Sequence, residues 1–76
     1  MVMQAKMSEE EYRGSLKKFG LGTSEAAQLI WIKTGSVIRP QVTETHLNRY
    51  GSLSHAYTAV YRFLFREMER EHGQIR

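Results

Sequence analysis

Apolar residues along this chain recur every three or four positions, which is the period of an α-helix and not of a strand. The first such stripe is Tyr12, Leu16 and Phe19, and it follows Ser8, a residue type that caps helix starts. Acidic residues fill the turn after Ser8, where the helix dipole favours negative charge, and Glu11 completes a capping box. The pattern predicts a first helix that starts after Ser8 and ends at the glycines that follow Phe19.

A second helix is predicted from Thr23 or Ser24 to about Lys33. It is apolar on nearly all sides, which is typical of a helix that is central or faces a partner. Its Trp31 is expected in the core. A glycine follows the last turn, where it can adopt the left-handed conformation that ends helices.

A third helix is predicted to start at Pro40, because the missing N–H of proline costs nothing at the first helical position. Val42, Leu47 and Tyr50 are expected to face inward. Gly51 is expected to end this helix.

The fourth helix is predicted to start after Ser52 or Ser54 and to run to about Glu71. Its apolar residues recur at three and four positions: Leu53, Ala56, Tyr57, Val60, Leu64 and Met68. The fold class predicted is therefore an all-α domain of about four helices. One domain of residues 1–76 is expected, with a flexible arm at 1–6 and a charged tail at 67–76 that could serve in a dimer.

The third and fourth helices, joined at Gly51, have the arrangement of a helix-turn-helix that reads DNA. Residues 26–39 are a second candidate for this motif. In that alternative Pro40 falls inside the recognition helix, at a cost of about 3 kcal/mol, and Trp31 takes the position of the turn glycine. We therefore favour the motif centred on Gly51.

Positive charge coincides with this motif. The formal net charge is +3. The segment from Lys33 to Arg66 holds five basic residues and one acidic residue, a net of +4, whereas the segment from Ser8 to Ile32 has a net of −1. A polyanion would be attracted to the basic segment, although a solvated surface would explain the same charge.

The sequence lacks the residue patterns that metal binding and catalysis require. There is no cysteine and no aspartate, and the three histidines do not pair at helical spacing, so no metal site is expected. A nucleophile with a base, a phosphate loop and a secretory signal are also missing from the pattern. We expect a cytoplasmic protein that is not an enzyme and that uses no cofactor, small ligand or membrane.

Five features of the chain occur together in one known kind of repressor: an acidic first helix (8–12), a Thr34–Gly35 turn, a Pro40–Gln41 helix start, a Tyr50–Gly51 turn and the run 59–62. By these features the chain resembles, from Ser8 to about Phe63, the KorA/TrfB type of plasmid transcriptional repressor and, more loosely, the PapB type of fimbrial-operon regulator. The turn after Gly51 is one residue shorter than in those repressors, so the rotation of the recognition helix is defined only to within one residue. The resemblance implies a homodimeric repressor that binds a palindromic operator in double-stranded DNA.

Reading the major groove needs side chains near the start of the recognition helix that reach base edges. The expected base contacts are Ser54, His55, Thr58 and Tyr57, although Ser54 also suits a helix cap and Tyr57 also suits the core. The expected phosphate contacts are Gln41, Arg49, Ser52, Tyr61, Arg62, Arg39 and Lys33.

A different class of function fits the same sequence. A small protein-binding module, such as a phage inhibitor or an antitoxin-like adaptor, could use the apolar second helix and the face that carries Tyr57 and Tyr61. This alternative predicts a protein partner and little affinity for DNA.

Overall fold

The computed structural model describes residues 5–74 and the side chains of residues 5–71. Within this part the chain forms four helices and no strand, which confirms the predicted all-α fold. Residues 1–4 of the predicted arm and 75–76 of the predicted tail lie outside the described part. None of the described helices has the length and apolar character needed to cross a membrane. The helices are α1 (Glu9–Phe19), α2 (Thr23–Thr34), α3 (Pro40–Tyr50) and α4 (His55–Gln74).

The helix ends follow from the residues that the sequence places there. The Ser8 Oγ accepts a hydrogen bond from the Glu11 N–H at 3.1 Å, and the Glu25 Oε1 accepts one from the Gly22 N–H at 3.0 Å. At the other end, α3 stops at Gly51, whose φ of 71° lies in the left-handed region that favours glycine. These caps explain why the helix boundaries could be predicted closely.

The core lies between α1, α3 and α4, with α2 packed against α4 and α3. Tyr12 of α1 meets Tyr61 of α4 edge to face, with ring centroids 5.0 Å apart. From α2, Ala26 and Ile30 enter the core, and Leu47 enters it from α3. The predicted α1 stripe and Leu47 are thus confirmed as inward residues.

The segment just before α1 is tied to the turn between α3 and α4. The Leu53 N–H donates to the Met7 carbonyl at 2.8 Å, and the Glu9 N–H donates to the Gly51 carbonyl at 3.0 Å. Met7 itself is buried. Ala5 and Lys6 are exposed, as expected for an arm, but the chain becomes part of the core one residue later. This pairing fixes the turn relative to α1.

Residues 67–71 of the predicted charged tail continue α4, as the predicted helix end near Glu71 requires, and their role in a dimer stays a prediction. Within them, Met68 is buried. The Lys18 Nζ lies 2.6 Å from the Glu69 Oε2, and the Lys33 Nζ lies 3.0 Å from the Glu71 Oε2. These ion pairs attach the end of α4 to α1 and α2.

Three apolar residues predicted to be inside lie at the surface. Trp31 is 58% exposed, because α2 contacts the body through Ala26 and Ile30, and Trp31 lies about 100° around the helix from Ile30. Val42 and Tyr50 of α3 are also exposed. Helix α2 is therefore a one-sided helix at the edge of the domain, and its outer face carries a large aromatic side chain.

Candidate nucleic-acid interface

The buried and free faces of α4 define the candidate interface. The inward side chains are Thr58, Tyr61, Leu64, Phe65 and Met68, spaced by three and four residues along one stripe. The opposite stripe faces solvent. Its exposed members include His55, Ala56, Ala59, Phe63, Arg66 and Arg70.

Thr58 was predicted to contact a base, and the structure contradicts this. Its side chain is buried, with 2% exposed, and its Oγ1 accepts a hydrogen bond from the Met7 N–H at 2.9 Å. A methyl group in this position cannot reach a thymine. The hydroxyl serves instead to satisfy a buried backbone donor of the N-terminal segment.

Tyr61 was predicted to contact a phosphate, and this is also wrong. The side chain is fully buried against Tyr12, and its Oη lies 3.4 Å from the Thr43 Oγ1. Burial raises the pKa of Tyr61, so the phenol remains neutral. The protein-binding alternative loses half of its proposed aromatic face by the same observation, since Tyr61 does not reach the surface.

The remaining predicted base contacts lie together at the start of α4. His55 is exposed as the first residue of the helix. Ser54 is half-buried, and its Oγ accepts from the Tyr57 N–H at 3.2 Å, so it caps the helix. Tyr57 is half-buried beside His46, with ring centroids 6.2 Å apart. Of these three residues, His55 is the most available to a ligand.

The predicted phosphate contacts separate in space. Arg49 is exposed at the end of α3, next to the turn, and Ser52 is half-buried within it, bridged to Ser8. Gln41 and Arg39 are exposed at the opposite end of α3, about 15 Å from the turn along a helix with a rise of 1.5 Å per residue.

Two of the predicted cations are engaged in ion pairs. Arg62 contacts Glu11 at 3.3 Å, which ties α4 to α1. Lys33 contacts Glu71 at 3.0 Å. Glu71 is sixteen residues beyond His55, or about 24 Å along α4, so Lys33 does not join the residues at the helix start.

Several cations in the described part of the chain take no part in an ion pair, and most of them were not predicted to be site residues. They carry the positive charge that the surface can offer to an anion. Lys6 lies at the turn, where it lines a small depression of about 110 Å³ with His46 and Tyr50. The unpaired cations are Lys6, Lys17, Arg39, Arg49 and Arg66.

The inward face of α4 lies about 70° around the helix from the predicted one, at 100° per residue. The predicted inward series included Tyr57, Val60 and Leu64, and so missed Ala56, Ala59, Phe63 and Arg66 as surface residues. Tyr61, Leu64, Phe65 and Met68 also recur at three and four positions. Both series have helical spacing, so periodicity alone does not decide which of them faces the core.

Comparison of the chain with models of protein families, with curated proteins and with solved structures finds no match.

Proposed function

We propose that this protein is a sequence-specific DNA-binding transcriptional regulator that places α4 in the major groove. The observation that carries the proposal is the free face of α4, which begins at an exposed His55 and continues through small side chains at Ala56 and Ala59. Small residues allow the helix backbone to approach base edges closely. The rotation of α4 about its own axis is fixed because its opposite face packs against the core.

The connection before α4 supports this docking. Residues 51–54 join α3 to α4, and four residues is within the range of helix-turn-helix connections, which often contain glycine. Gly51 supplies the left-handed residue that this turn uses. The hydrogen bond from the Leu53 N–H to Met7 braces the turn against the rest of the domain.

The free face has the chemistry of groove recognition. The His55 imidazole can donate to the acceptors of guanine, and the methyl groups of Ala56 and Ala59 and the ring of Phe63 can contact the thymine methyl. These contacts replace the one that was expected from Thr58. Together they favour a site that contains both a guanine and thymines.

Cations flank this face at both ends. Lys6 and Arg49 lie near the turn, and Arg66 lies eleven residues after His55 on the same stripe. Because these side chains have no carboxylate partner among the described residues, they can bind phosphates without first breaking an ion pair. Phosphate contacts of this kind orient a helix on the duplex but do not read its sequence.

The proposal includes repression of transcription by a homodimer on a palindromic operator, in a plasmid or related element. The resemblance to KorA/TrfB-type repressors supports this part of the proposal. In such a homodimer the two α4 helices would have to meet half-sites about 34 Å apart, which is one turn of DNA.

The test is selection of bound sequences from a random pool of duplexes, followed by titration at ~150 mM salt. The selected duplex should bind about 10³-fold or more tightly than random DNA. Ala59→Glu should abolish this preference, because it places a carboxylate against the groove. Gly14→Glu is the matched control, since it makes the same charge change on the exposed side of α1, where an added Cβ meets no other atom.

Equal affinity for selected and random duplexes would refute sequence-specific binding. Equal losses in Ala59→Glu and Gly14→Glu would show that net charge, and not the free face of α4, governs binding.

A further inference from the structure

The outer face of α2 carries an apolar patch that the proposed DNA-binding surface does not use. Trp31, Ile32 and Val37 are 58%, 73% and 69% exposed. Beside them lies a groove of about 370 Å³, lined by Ala27, Gln28, Trp31, Val37 and Ile38. Isolated apolar residues are ordinary on a surface, but a contiguous cluster next to a groove marks an interaction site.

We infer that this patch, consisting of α2 residues 27–32 and the connection residues 37–38, binds the same patch on a second copy of the chain. A two-fold interface requires one surface that holds both a projection and a recess. The α2 patch has both, since the Ile32 side chain is exposed and the groove is lined by Trp31 and Val37. The Ile32 side chain of one copy would enter the groove of the other.

Charges of opposite sign flank the patch in the sequence and favour this occupant. Glu25 precedes the patch and Arg39 follows it, and both are exposed and outside the ion pairs of the described residues. In an antiparallel pair of α2 helices, we expect Glu25 of each copy to face Arg39 of the other copy. The same patch is thus complementary to itself in charge as well as in shape.

The available area fits the apolar centre of such an interface. From their exposed fractions, Trp31, Ile32 and Val37 leave roughly 350 Å² of apolar surface uncovered. A standard interface buries about 800 Å² on each partner, with an apolar centre and a polar rim. The patch would supply the centre, and the side chains around it would supply the rim.

Competing dimer surfaces are less available. The end of α4 was expected to meet a symmetry mate through Phe65 and Met68, but both side chains are buried within the subunit. The inner face of α2 packs against α4 and α3, so its outer face points away from them. Pairing through α2 therefore leaves the free face of α4 uncovered in both copies.

The inference is tested without DNA, so its failure is distinct from failure of the proposed function. Trp31 is the single tryptophan of the chain, and it lies in the patch. Light scattering and tryptophan emission are followed together over a dilution series. We expect a dimer with blue-shifted emission that becomes a monomer with red-shifted emission on dilution.

Two aromatic variants locate the interface. Trp31→Ser should raise the dimer Kd by about 30-fold or more, which is typical of a central interface residue. Tyr50→Ser is the matched control, since Tyr50 is an aromatic residue of similar exposure at the end of α3. The control should dimerise like the unmodified protein.

Charge reversal tests the antiparallel arrangement. Arg39→Glu and Glu25→Lys should each weaken the dimer a few-fold, and the double variant should restore it. Helix content and thermal melting confirm that each variant is folded, because Glu25→Lys also removes the bond to the Gly22 N–H.

Three results would overturn the inference. A monomer with solvent-exposed Trp31 at every concentration would leave the patch to a different partner. A dimer whose tryptophan emission does not change on dilution, or one equally weakened by Tyr50→Ser, would show pairing through another surface.

Discussion

The hydroxyl of Tyr12 is buried in the core without a hydrogen-bond partner among the described residues. Its ring packs edge to face against Tyr61, whose own hydroxyl lies near Thr43. Burial and the neighbouring phenol raise the pKa of Tyr12, and burial raises the pKa of Tyr61. Both side chains are therefore held in the neutral form, which makes the core sensitive to alkali.

We predict that the free energy of unfolding decreases as the pH rises above about 10. In the unfolded chain a tyrosine ionises near pH 10. Because the folded state raises both pKa values, it keeps protons that the unfolded state releases, and stability is full below this pH and is lost above it. Urea denaturation at a series of pH values from about 8 to about 11 measures the effect.

The variant that carries Tyr12→Phe and Tyr61→Phe separates this contribution from other alkaline effects. Its stability should decrease less steeply over the same pH range, because phenylalanine has no proton to release. Parallel curves for the double variant and the unmodified protein would contradict the assignment.

The role of a single residue can be predicted from the sequence when its partners are close to it in the chain. The cap at Ser8 and the stripe through Tyr12 follow from spacing alone. The burial of Thr58 does not, because its partner is the Met7 N–H, fifty-one residues away. A threonine in a helix looks like a surface residue until the donor that it satisfies is known.

Among the elements, α4 shows how a helix can be predicted correctly while its orientation is not. Its existence follows from apolar periodicity, but its rotation depends on the neighbours that it meets. Tyr61 faces inward because its ring packs against Tyr12, and Thr58 faces inward because its hydroxyl accepts a hydrogen bond from the Met7 N–H. The helix was therefore predicted correctly, whereas the set of its residues that face solvent was not.

We predict that Thr58→Val lowers the free energy of unfolding by about 1–3 kcal/mol, because it leaves the Met7 N–H without its acceptor. Thr45→Val is the control, since Thr45 is exposed on α3 and should change stability by less than about 0.5 kcal/mol. Urea denaturation measures both.

The same Thr58→Val variant distinguishes a structural role from base recognition. Its preferred DNA sequence, selected under conditions where it is folded, should match that of the unmodified protein. A changed preference at a single base pair would restore Thr58 as a contact and would contradict its placement in the core.

In the molecule as a whole, basic residues that form one segment of the sequence do not form one positive surface, because some of them are held in ion pairs. The basic segment from Lys33 to Arg66 suggested one positive surface, yet Lys33 pairs with Glu71 and Arg62 pairs with Glu11. Among the described residues, the unpaired cations of this segment are Arg39, Arg49 and Arg66, and Lys6 and Lys17 add unpaired charge from outside it. The sequence therefore predicts that the net charge is positive, but it does not predict which cations are free of ion pairs.

We predict that Arg66→Ala reduces the salt dependence of DNA binding by about one phosphate, a change of about 0.9 in the slope of log K against log salt. Lys17→Ala is the matched control, because Lys17 is also an unpaired cation but lies on α1. Its slope should remain unchanged. Equal reductions in both variants would mean that binding responds to net charge alone.

The pairing of Met7 with Leu53 has a practical consequence for handling the protein. A polypeptide joined ahead of Ala5 would start beside the α3–α4 turn, next to the first residues of the α4 face that we propose to bind DNA. An affinity tag or reporter at that end would crowd an incoming duplex, whereas the last turns of α4 lie more than 20 Å away along the helix. Labels and immobilisation points therefore belong at the carboxyl end, and an amino-terminal fusion offers a simple way to obstruct binding without altering a single surface residue.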